Sequence, residues 1–458
     1  MPTSIDPNTG ETLHEYPWFD AQASERCVAL AHGAQRSWRT RPLSERAGLL
    51  TKLGATIREA REAHAELMTA EMGKPITQAL GEIDKCAWLC EYFAEHGPAM
   101  LDDQPVETDA ERSYVSYQPL GVVVSIMPWN FPWWQALRFA VPALLAGNTV
   151  LLKHAPNTTG CGLAIAAALR DAGFPPGCVE PVIVDNDGAA KLIEDPRVAG
   201  VTLTGSTRAG RAVGEVAGRS LKKLVLELGG SDPYIVLADA DIERAAEICV
   251  RARLHNSGQT CVAAKRFIVV DAVAERFEAA ILDHLKRAVV GPPRERQTTV
   301  GPMARHDLRA ELHDQVERSV AAGAKLALGG ELPEGPGAFY PVTLLTGVEP
   351  GMPAADEELF GPVASLLRVA DEERALELAN DTPYGLGAAV FTGDLARGEA
   401  IARDQLEAGC CFVNAQVKSD PRLPFGGVKA SGIGRELGRA GLMEWVNIKT
   451  VWVENPNT

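Results

Sequence analysis

From Gly121 onward the chain repeats one pattern, a short apolar or β-branched run followed by a stretch with helical spacing. The runs are Gly121-Val-Val-Val-Ser-Ile126, Thr149-Val-Leu-Leu152, Pro181-Val-Ile-Val184, Val201-Thr-Leu-Thr204 and Lys223-Leu-Val-Leu226, and segments such as Gly162 to Arg170 read as helix between them. Strands this uniformly apolar need cover on both faces, and strands joined through helices pair in parallel, so the pattern predicts an α/β fold with a doubly wound parallel sheet. A second alternation follows residue 261: Arg266-Phe-Ile-Val-Val270, helices from about Ala274 to Val289 and from Leu308 to Gly323, and a strand at Val363 to Val369. It predicts a second α/β domain. Residues 22 to 100 read as helical, with Leu49, Leu50, Leu53 and Ile57 at helix spacing and Ser44 as N-cap. Arg112 to Gln118 and the tail Asn447 to Glu454 alternate like outlying strands, suited to pairing between subunits.

At 458 residues the chain exceeds one ordinary core, and 46% hydrophobic with 23% charged residues is a globular balance. Two or three domains are expected. A net charge of −15 argues against a nucleic-acid partner. No stretch has the length of a membrane span, and the first residues lack the character of a signal peptide, so a cytoplasmic location without membrane attachment is expected. The nine cysteines lack CxxC spacing, and no His/Cys set stands at zinc-ligand intervals. Neither a disulfide nor a metal is expected.

Most of these cysteines sit in apolar or helical stretches and read as packing residues. Cys261 differs, because Asn256-Ser-Gly-Gln-Thr-Cys261 sets it behind a polar turn whose Gly258 lets backbone approach a substrate closely. Glu227, in Leu226-Glu-Leu-Gly-Gly230, supplies a carboxylate base for such a thiol. Nucleophile and base together suit covalent chemistry at a carbonyl carbon. Thr204-Gly-Ser-Thr-Arg-Ala-Gly210 follows a strand and opens a helix, which suits a diphosphate or, equally, a plain strand-to-helix turn. Lys153 ends another strand, where it reads either as a ribose or phosphate contact or as a solvated lysine.

Together these segments resemble the aldehyde dehydrogenase superfamily over nearly the whole chain, and most resemble its bacterial short-form succinate semialdehyde dehydrogenases. The resemblance rests on Pro128-Trp-Asn-Phe-Pro132, Lys153, Thr204-Gly-Ser206, Glu227-Leu-Gly-Gly230, Gly258-Gln-Thr-Cys261, Glu358-Leu-Phe-Gly-Pro362 and Pro424-Phe-Gly-Gly427. It implies an NAD(P)-binding domain (1–100 and 119–229), a catalytic domain (230–435) and a small β oligomerisation element (101–118 and 436–458), assembled as a homodimer or homotetramer. It also implies that Cys261 attacks an aldehyde, Asn130 holds the oxyanion and Glu227 activates the hydrolytic water. Trp129, Lys153, Pro156, Gly205, Ser206, Glu358 and Phe360 fall at cofactor positions; Phe360 reads equally as core.

Pro156 stands where NAD-preferring members often carry a glutamate for the adenosine ribose. A 2′-phosphate is then not repelled, and the expected cofactor is NAD, with NADP also accepted. Arg138, eight residues beyond Asn130, matches an arginine that binds the distal carboxylate in succinate semialdehyde dehydrogenases; its other reading is a surface arginine. His255 replaces a second arginine of that group, which implies carboxylate binding that is weaker or sensitive to pH near neutrality. Ser419 matches a carboxylate-binding serine, with Lys418 or Arg422 as helpers. The family's redox-switch cysteine is absent, since position 263 is Ala.

The expected reaction is NAD(P)-dependent oxidation of succinate semialdehyde through a thiohemiacetal and a thioester. A second reading is another aliphatic or aromatic aldehyde, with Trp133 and Trp134 shaping an apolar tunnel. A binding protein without catalysis would have lost Cys261 or Glu227, and a thiol esterase would need no cofactor.

Overall fold

The apolar runs lie side by side in a six-stranded sheet, in the order Gly432–Ile433, Lys223–Glu227, Val198–Thr204, Val122–Met127, Thr149–His154, Val179–Pro181. This computed structural model describes residues 1–456. All pairs are parallel except that of Gly432–Ile433 with Lys223–Glu227. Val124 aligns with Leu151 on one side and Val201 on the other, and all three are buried. Strand order reverses beside Val122–Met127, so Pro128-Trp129-Asn130 and Thr204-Gly205-Ser206 leave the carboxyl edge next to each other, where open α/β sheets bind ligands.

A second sheet has the order Lys325–Leu328, Thr343–Thr346, Val363–Val369, Ala264–Val270, Asp232–Val236, Gly387–Phe391, Cys410–Val413, parallel throughout except at its first pair. Only Leu228 to Ser231 separates strand Lys223–Glu227 of the first sheet from strand Asp232–Val236 of the second. The carboxyl edge of one sheet therefore faces the amino edge of the other. Cys261 lies just before Ala264–Val270 on that second edge.

The helical region comprises Ala21–Trp38, Leu43–Glu59, Arg61–Met72 and Ile76–Met100. Ser44 is not an N-cap: it lies inside Leu43–Glu59, whose N-cap is Pro42, two residues earlier, and the Pro42 carbonyl receives the Glu45 and Arg46 N–H groups. Helix Trp134–Ala146, buried along its whole length, has no capping side chain of its own. Glu82 supplies one from Ile76–Met100, its Oε1 accepting from Trp133 N (3.0 Å) and Trp134 N (2.9 Å). A carboxylate there satisfies orphan N–H groups and complements the helix dipole. Lys74 pairs with the same carboxylate and lies 3.8 Å from the Phe131 ring centroid, bracing the turn that carries Asn130.

The two outlying strands pair with each other, antiparallel from Val446↔Pro119 to Val453↔Arg112, with Gln104–Pro105 beyond. Gly432–Ile433 pairs with the first sheet just ahead of the expected boundary at residue 435. The last two residues of the expected 436–458 segment lie outside the described residues.

Candidate active site

The approach to Cys261 is built from backbone that side chains rarely adopt. Asn256 (φ 54°), Ser257 (φ 54°) and Gly258 (φ 76°) are all left-handed. Each non-glycine residue there costs about 1–2 kcal/mol, and buried hydrogen bonds hold them. Asn256 Nδ2 donates to Asn130 O (2.8 Å) and Gln259 O (3.1 Å). Ser257 Oγ donates to Gly301 O (3.1 Å) and accepts from Gly301 N (2.9 Å). The room at Gly258 is taken by protein rather than by substrate: a Cβ there would run into the Gly361 carbonyl. Arg253, fully buried, ties these two segments together by donating to Gly258 O (2.6 Å) and Gly361 O (2.8 Å). Burial pushes its pKa down to about 10, opposed by Glu358. Nothing in the sequence marks Arg253, which reads as one more arginine on an amphipathic helix.

Two cavities of about 500 and 430 Å³ share Cys261 and Gln135 as wall residues. Burial pushes the thiol up to about 12, against the pull of Arg138 and Lys265, so the resting group is a thiol rather than a thiolate. Lys265 Nζ donates to Cys261 O (2.6 Å) and to Glu358 Oε1 (2.8 Å). Asn130 Nδ2 donates to Gln259 O (3.0 Å), which fixes the amide and leaves its second N–H without a protein acceptor among the described residues.

Glu227 lines neither cavity. Its carboxyl is buried, has no hydrogen-bond partner among the described residues, and packs against Gly426 of the Pro424-Phe-Gly-Gly427 turn. A side chain at Gly426 (φ 151°) would displace it. Burial, and then the charge of Glu436, hold Glu227 well above the usual carboxylate range; Arg138 opposes them. Glu436 was not anticipated from the sequence, yet it forms the buried ion pair with Arg138.

The larger cavity gathers Trp129, Gly205, Ser206, Glu358 and Phe360. Ser206 caps helix Thr207–Arg219 by accepting from Ala209 N (3.2 Å). A Cβ on Gly205 would meet nothing in the protein nearer than 3.9 Å, which leaves the rim open to a close ligand. Trp129 and Phe360 face each other edge to face, centroids 5.7 Å apart, and Phe360 is half-buried rather than core. Glu358 is held by Lys265 and by Gly230 N (3.2 Å). Lys153 and Pro156 are not in this wall. Lys153 is buried at the end of Thr149–His154, its pKa lowered by that burial, and Pro156, itself exposed, opens an otherwise buried turn beside a small cleft with Trp18 and His154.

The smaller cavity brings together Arg138, His255 and Ser419, along with Lys85, which the sequence reading missed. Arg138 is not a surface residue; its side chain is 2% exposed. Its Nη2 approaches Thr204 Oγ1 at 3.4 Å and its guanidinium lies 4.8 Å from the Phe425 ring centroid. The expected titration of His255 near neutrality is corrected: burial, with Lys74 and Lys85 nearby, pushes it down to about 4, and it stacks on Phe131 as a neutral ring. Trp134 lines the cavity, but Trp133 is fully buried against His64. Lys418 lies in the wall, whereas Arg422 points to Asp420 and Trp88.

The sequence pattern of the aldehyde dehydrogenase family matches residues 2–451. The chain is 49% identical to the NAD(P)+ succinate semialdehyde dehydrogenase Sad of Escherichia coli (strain K12), over 98% of this chain and 97% of that protein. It is 46% identical to a probable NADP+ succinate-semialdehyde dehydrogenase of Synechocystis, over 98% and 99%. The crystal structure of a succinic semialdehyde dehydrogenase from Streptococcus pyogenes in complex with NADP+ superposes with a TM-score of 0.97 at 37% identity, covering 99% of this chain and all of that one. With a thiol at the meeting of two cavities, an amide beside it and a full-length family match, this chain belongs to the aldehyde dehydrogenase family.

Proposed function

We propose that the protein oxidises succinate semialdehyde to succinate with NAD or NADP. One observation carries this reading: the cavity that leads to Cys261 from the side away from Trp129 and Glu358 has mostly apolar walls, with Phe131, Trp134, Val262, Val417 and Phe425, into which two cations, Lys85 and Arg138, are set beside Ser419 and Gln135. A short aldehyde with a terminal carboxylate suits cations set in such a wall, whereas an apolar chain would leave them without a counter-charge. The two relatives described above carry succinate semialdehyde in their names, in keeping with it.

The larger cavity fits a dinucleotide. Open N–H groups at the start of Thr207–Arg219 suit phosphate, the Glu358 carboxylate suits ribose hydroxyls, and Trp129 with Phe360 suits a flat ring. When bound, the nicotinamide supplies a hydride acceptor. Lys153 and Pro156, on the same sheet edge, are assigned to the adenosine end; without a carboxylate at 156, neither cofactor is expected to win by more than about 10³ in kcat/KM.

Cys261 Sγ attacks the aldehyde carbon, the carbonyl electron pair moves to oxygen, and the thiol proton leaves to a base. The uncommitted N–H of Asn130 and the Cys261 backbone N–H receive the oxyanion. After oxidation the acyl group is a thioester on Cys261. Glu227 takes a proton from water, the water oxygen adds to the acyl carbon, and the C–S bond breaks to release the acid and restore the thiol. A carboxylate held above its usual range is a stronger base once ionised, which suits Glu227 to that step.

We assign the first sheet with its helices to cofactor binding and the second to catalysis. Association as a dimer or tetramer is assigned to strand Val446–Val453, where Ile448 (61%) and Trp452 (46%) are exposed; light scattering tests it. No described helix is long and apolar enough to cross a membrane, and a cytoplasmic location is our reading.

The test is kcat/KM for succinate semialdehyde against butanal, which has the same carbon count without the carboxylate, with each cofactor. A preference of about 10² or more, near 2.7 kcal/mol, is expected. Equal or better use of butanal would move the substrate to apolar aldehydes.

A further inference from the structure

We infer, on the roles proposed above for Cys261 and Glu358, that Lys265 is a positioning residue: it holds the nucleophile and the cofactor-side carboxylate on one ammonium, so that the charge at Glu358 governs the reactivity of the thiol. Nothing in the sequence marks this lysine, which stands beside Arg266 at the start of an apolar strand. The register of the second sheet explains its placement. Asp232 pairs with Ala264 and Pro233 with Arg266, so Lys265 is the extra residue where the register shifts. Such a bulge re-aims a side chain, and here Lys265 reaches back to the loop from which its own strand starts.

The Lys265 side chain is 1% exposed, and an ammonium so deep needs both its donors and its charge met. Two of its three N–H groups go to Cys261 O (2.6 Å) and Glu358 Oε1 (2.8 Å). Glu358 supplies the one carboxylate within ion-pair distance of it among the described residues. Glu358 in turn meets no second cation at that distance: Arg253 donates to the backbone oxygens of Leu359 and Gly361, on either side of Phe360, rather than to the carboxylate. The Glu358 side chain is 20% exposed in the wall of the larger cavity, so a ligand there reaches it. One buried cation thus serves the backbone of the nucleophile and a carboxylate that faces the cofactor side.

Burial raises the Cys261 thiol most; of the charges, Arg138 and Lys265 oppose that rise, and Asp232 and Glu227 add to it. Arg138 is already ion-paired with the buried Glu436. Lys265 is therefore the cation whose compensation changes with what occupies the larger cavity. The remaining charges beside it are fixed by the protein frame. Asp232 bonds to Gly387 N and lies beyond ion-pair distance of Lys265, and Arg266 donates to Ser231 O, Leu378 O and Ala379 O. With Glu358 ionised, the ammonium is shared and the thiol feels only part of its field. With Glu358 neutral, Cys261 O alone holds the ammonium, and its charge falls more fully on the thiol. Neutralising Glu358 should therefore favour the thiolate, and removing Lys265 should disfavour it.

The experiment measures alkylation of Cys261 by iodoacetamide at pH 8, without aldehyde or cofactor, read by peptide mass spectrometry. The sulfur–carbon bond forms as iodide leaves and the thiol proton passes to water, so the rate follows the thiolate population. One pKa unit changes that population tenfold, and the weaker nucleophile gives part of it back, which leaves about threefold in rate. The expected rate rises about threefold in Glu358→Gln, falls about threefold in Lys265→Met, and largely recovers in Lys265→Arg, which keeps the charge. In Lys265→Met/Glu358→Gln the response to Glu358→Gln should be lost. An equal response to Glu358→Gln with and without Lys265 overturns the inference, as does an unchanged rate in Lys265→Met. If Lys265→Met fails to fold, Glu358→Gln decides: a rate that does not rise overturns it. Neither aldehyde nor cofactor enters the measurement, so failure here leaves the substrate assignment standing, and a wild type that prefers butanal leaves this inference standing.

Discussion

Arg138 and Glu436 form an ion pair with side-chain exposures of 2% and 1%, and both of its charges act on the unpartnered carboxyl of Glu227. Removing one member of such a pair strands a buried charge, at about 3–5 kcal/mol. Arg138→Met is therefore expected to lower the thermal midpoint more than the double variant Arg138→Met/Glu436→Gln does, measured with cofactor concentration held fixed. A double variant as unstable as the sum of the singles would show that the pair is not coupled.

The same arrangement sets the pH at which Glu227 works. Glu436 helps to hold Glu227 protonated, so neutralising it with Glu436→Gln should move the acid limb of thioester hydrolysis to lower pH. Single-turnover measurement of acid release from pH 5 to 9 reads this directly. An unmoved limb would place the base elsewhere.

Asn130→Ala removes the amide aimed beside Cys261 and should lower kcat by about 10²–10³ while cofactor affinity holds. Asn130 Nδ2 also donates to Gln259 O, so a fall in thermal midpoint accompanying the loss would mark loop disorder instead. Asn130→Asp retains the size without the donor and should be equally slow.

Burial raises Asp232 to about 7, opposed by Lys265, while its Oδ1 accepts from Gly387 N (3.1 Å). The folded protein thus keeps this proton up to about pH 7, whereas an unfolded aspartate releases it near 4. Stability contributed by the protonated form is full below about pH 4 and is lost as pH rises to 7. Asp232→Asn keeps the acceptor without the charge. Its thermal midpoint should exceed that of the wild type at pH 8 and converge with it at pH 4.

His255 behaves oppositely. Its folded pKa near 4 lies below the unfolded value, so its contribution is complete above about pH 6.5 and declines as pH falls toward 4. KM for the aldehyde should accordingly show no inflection between pH 6 and 7, and His255→Gln should leave that part of the profile unchanged. An inflection near 6.5 that His255→Gln abolishes would restore the imidazole as a titrating contact.

The alternation of apolar runs with helical stretches pointed to the two largely parallel sheets, because strands joined through helices pair in parallel and the helices cover both sheet faces. Local motifs likewise singled out Cys261, Asn130 and the Thr204-Gly205-Ser206 turn, which the fold brings to one cavity, and Glu227, which it buries outside both cavities. Strand ends and caps were less legible. Ser44 lost its expected role because Pro42 fixes the backbone one turn edge earlier, and Glu82 caps Trp134–Ala146 from a helix over 50 residues away, a partnership no local pattern records. Charge assignments depended most on tertiary structure. Arg138 reads the same in sequence whether it faces a substrate or Glu436, and Lys85 reads as one polar residue on a long helix until Ser419, Trp134 and the cavity are folded around it. Sequence supplies each ionisable group; only packing decides which counter-charge it meets and how much water it keeps, and those two quantities set its protonation and its use.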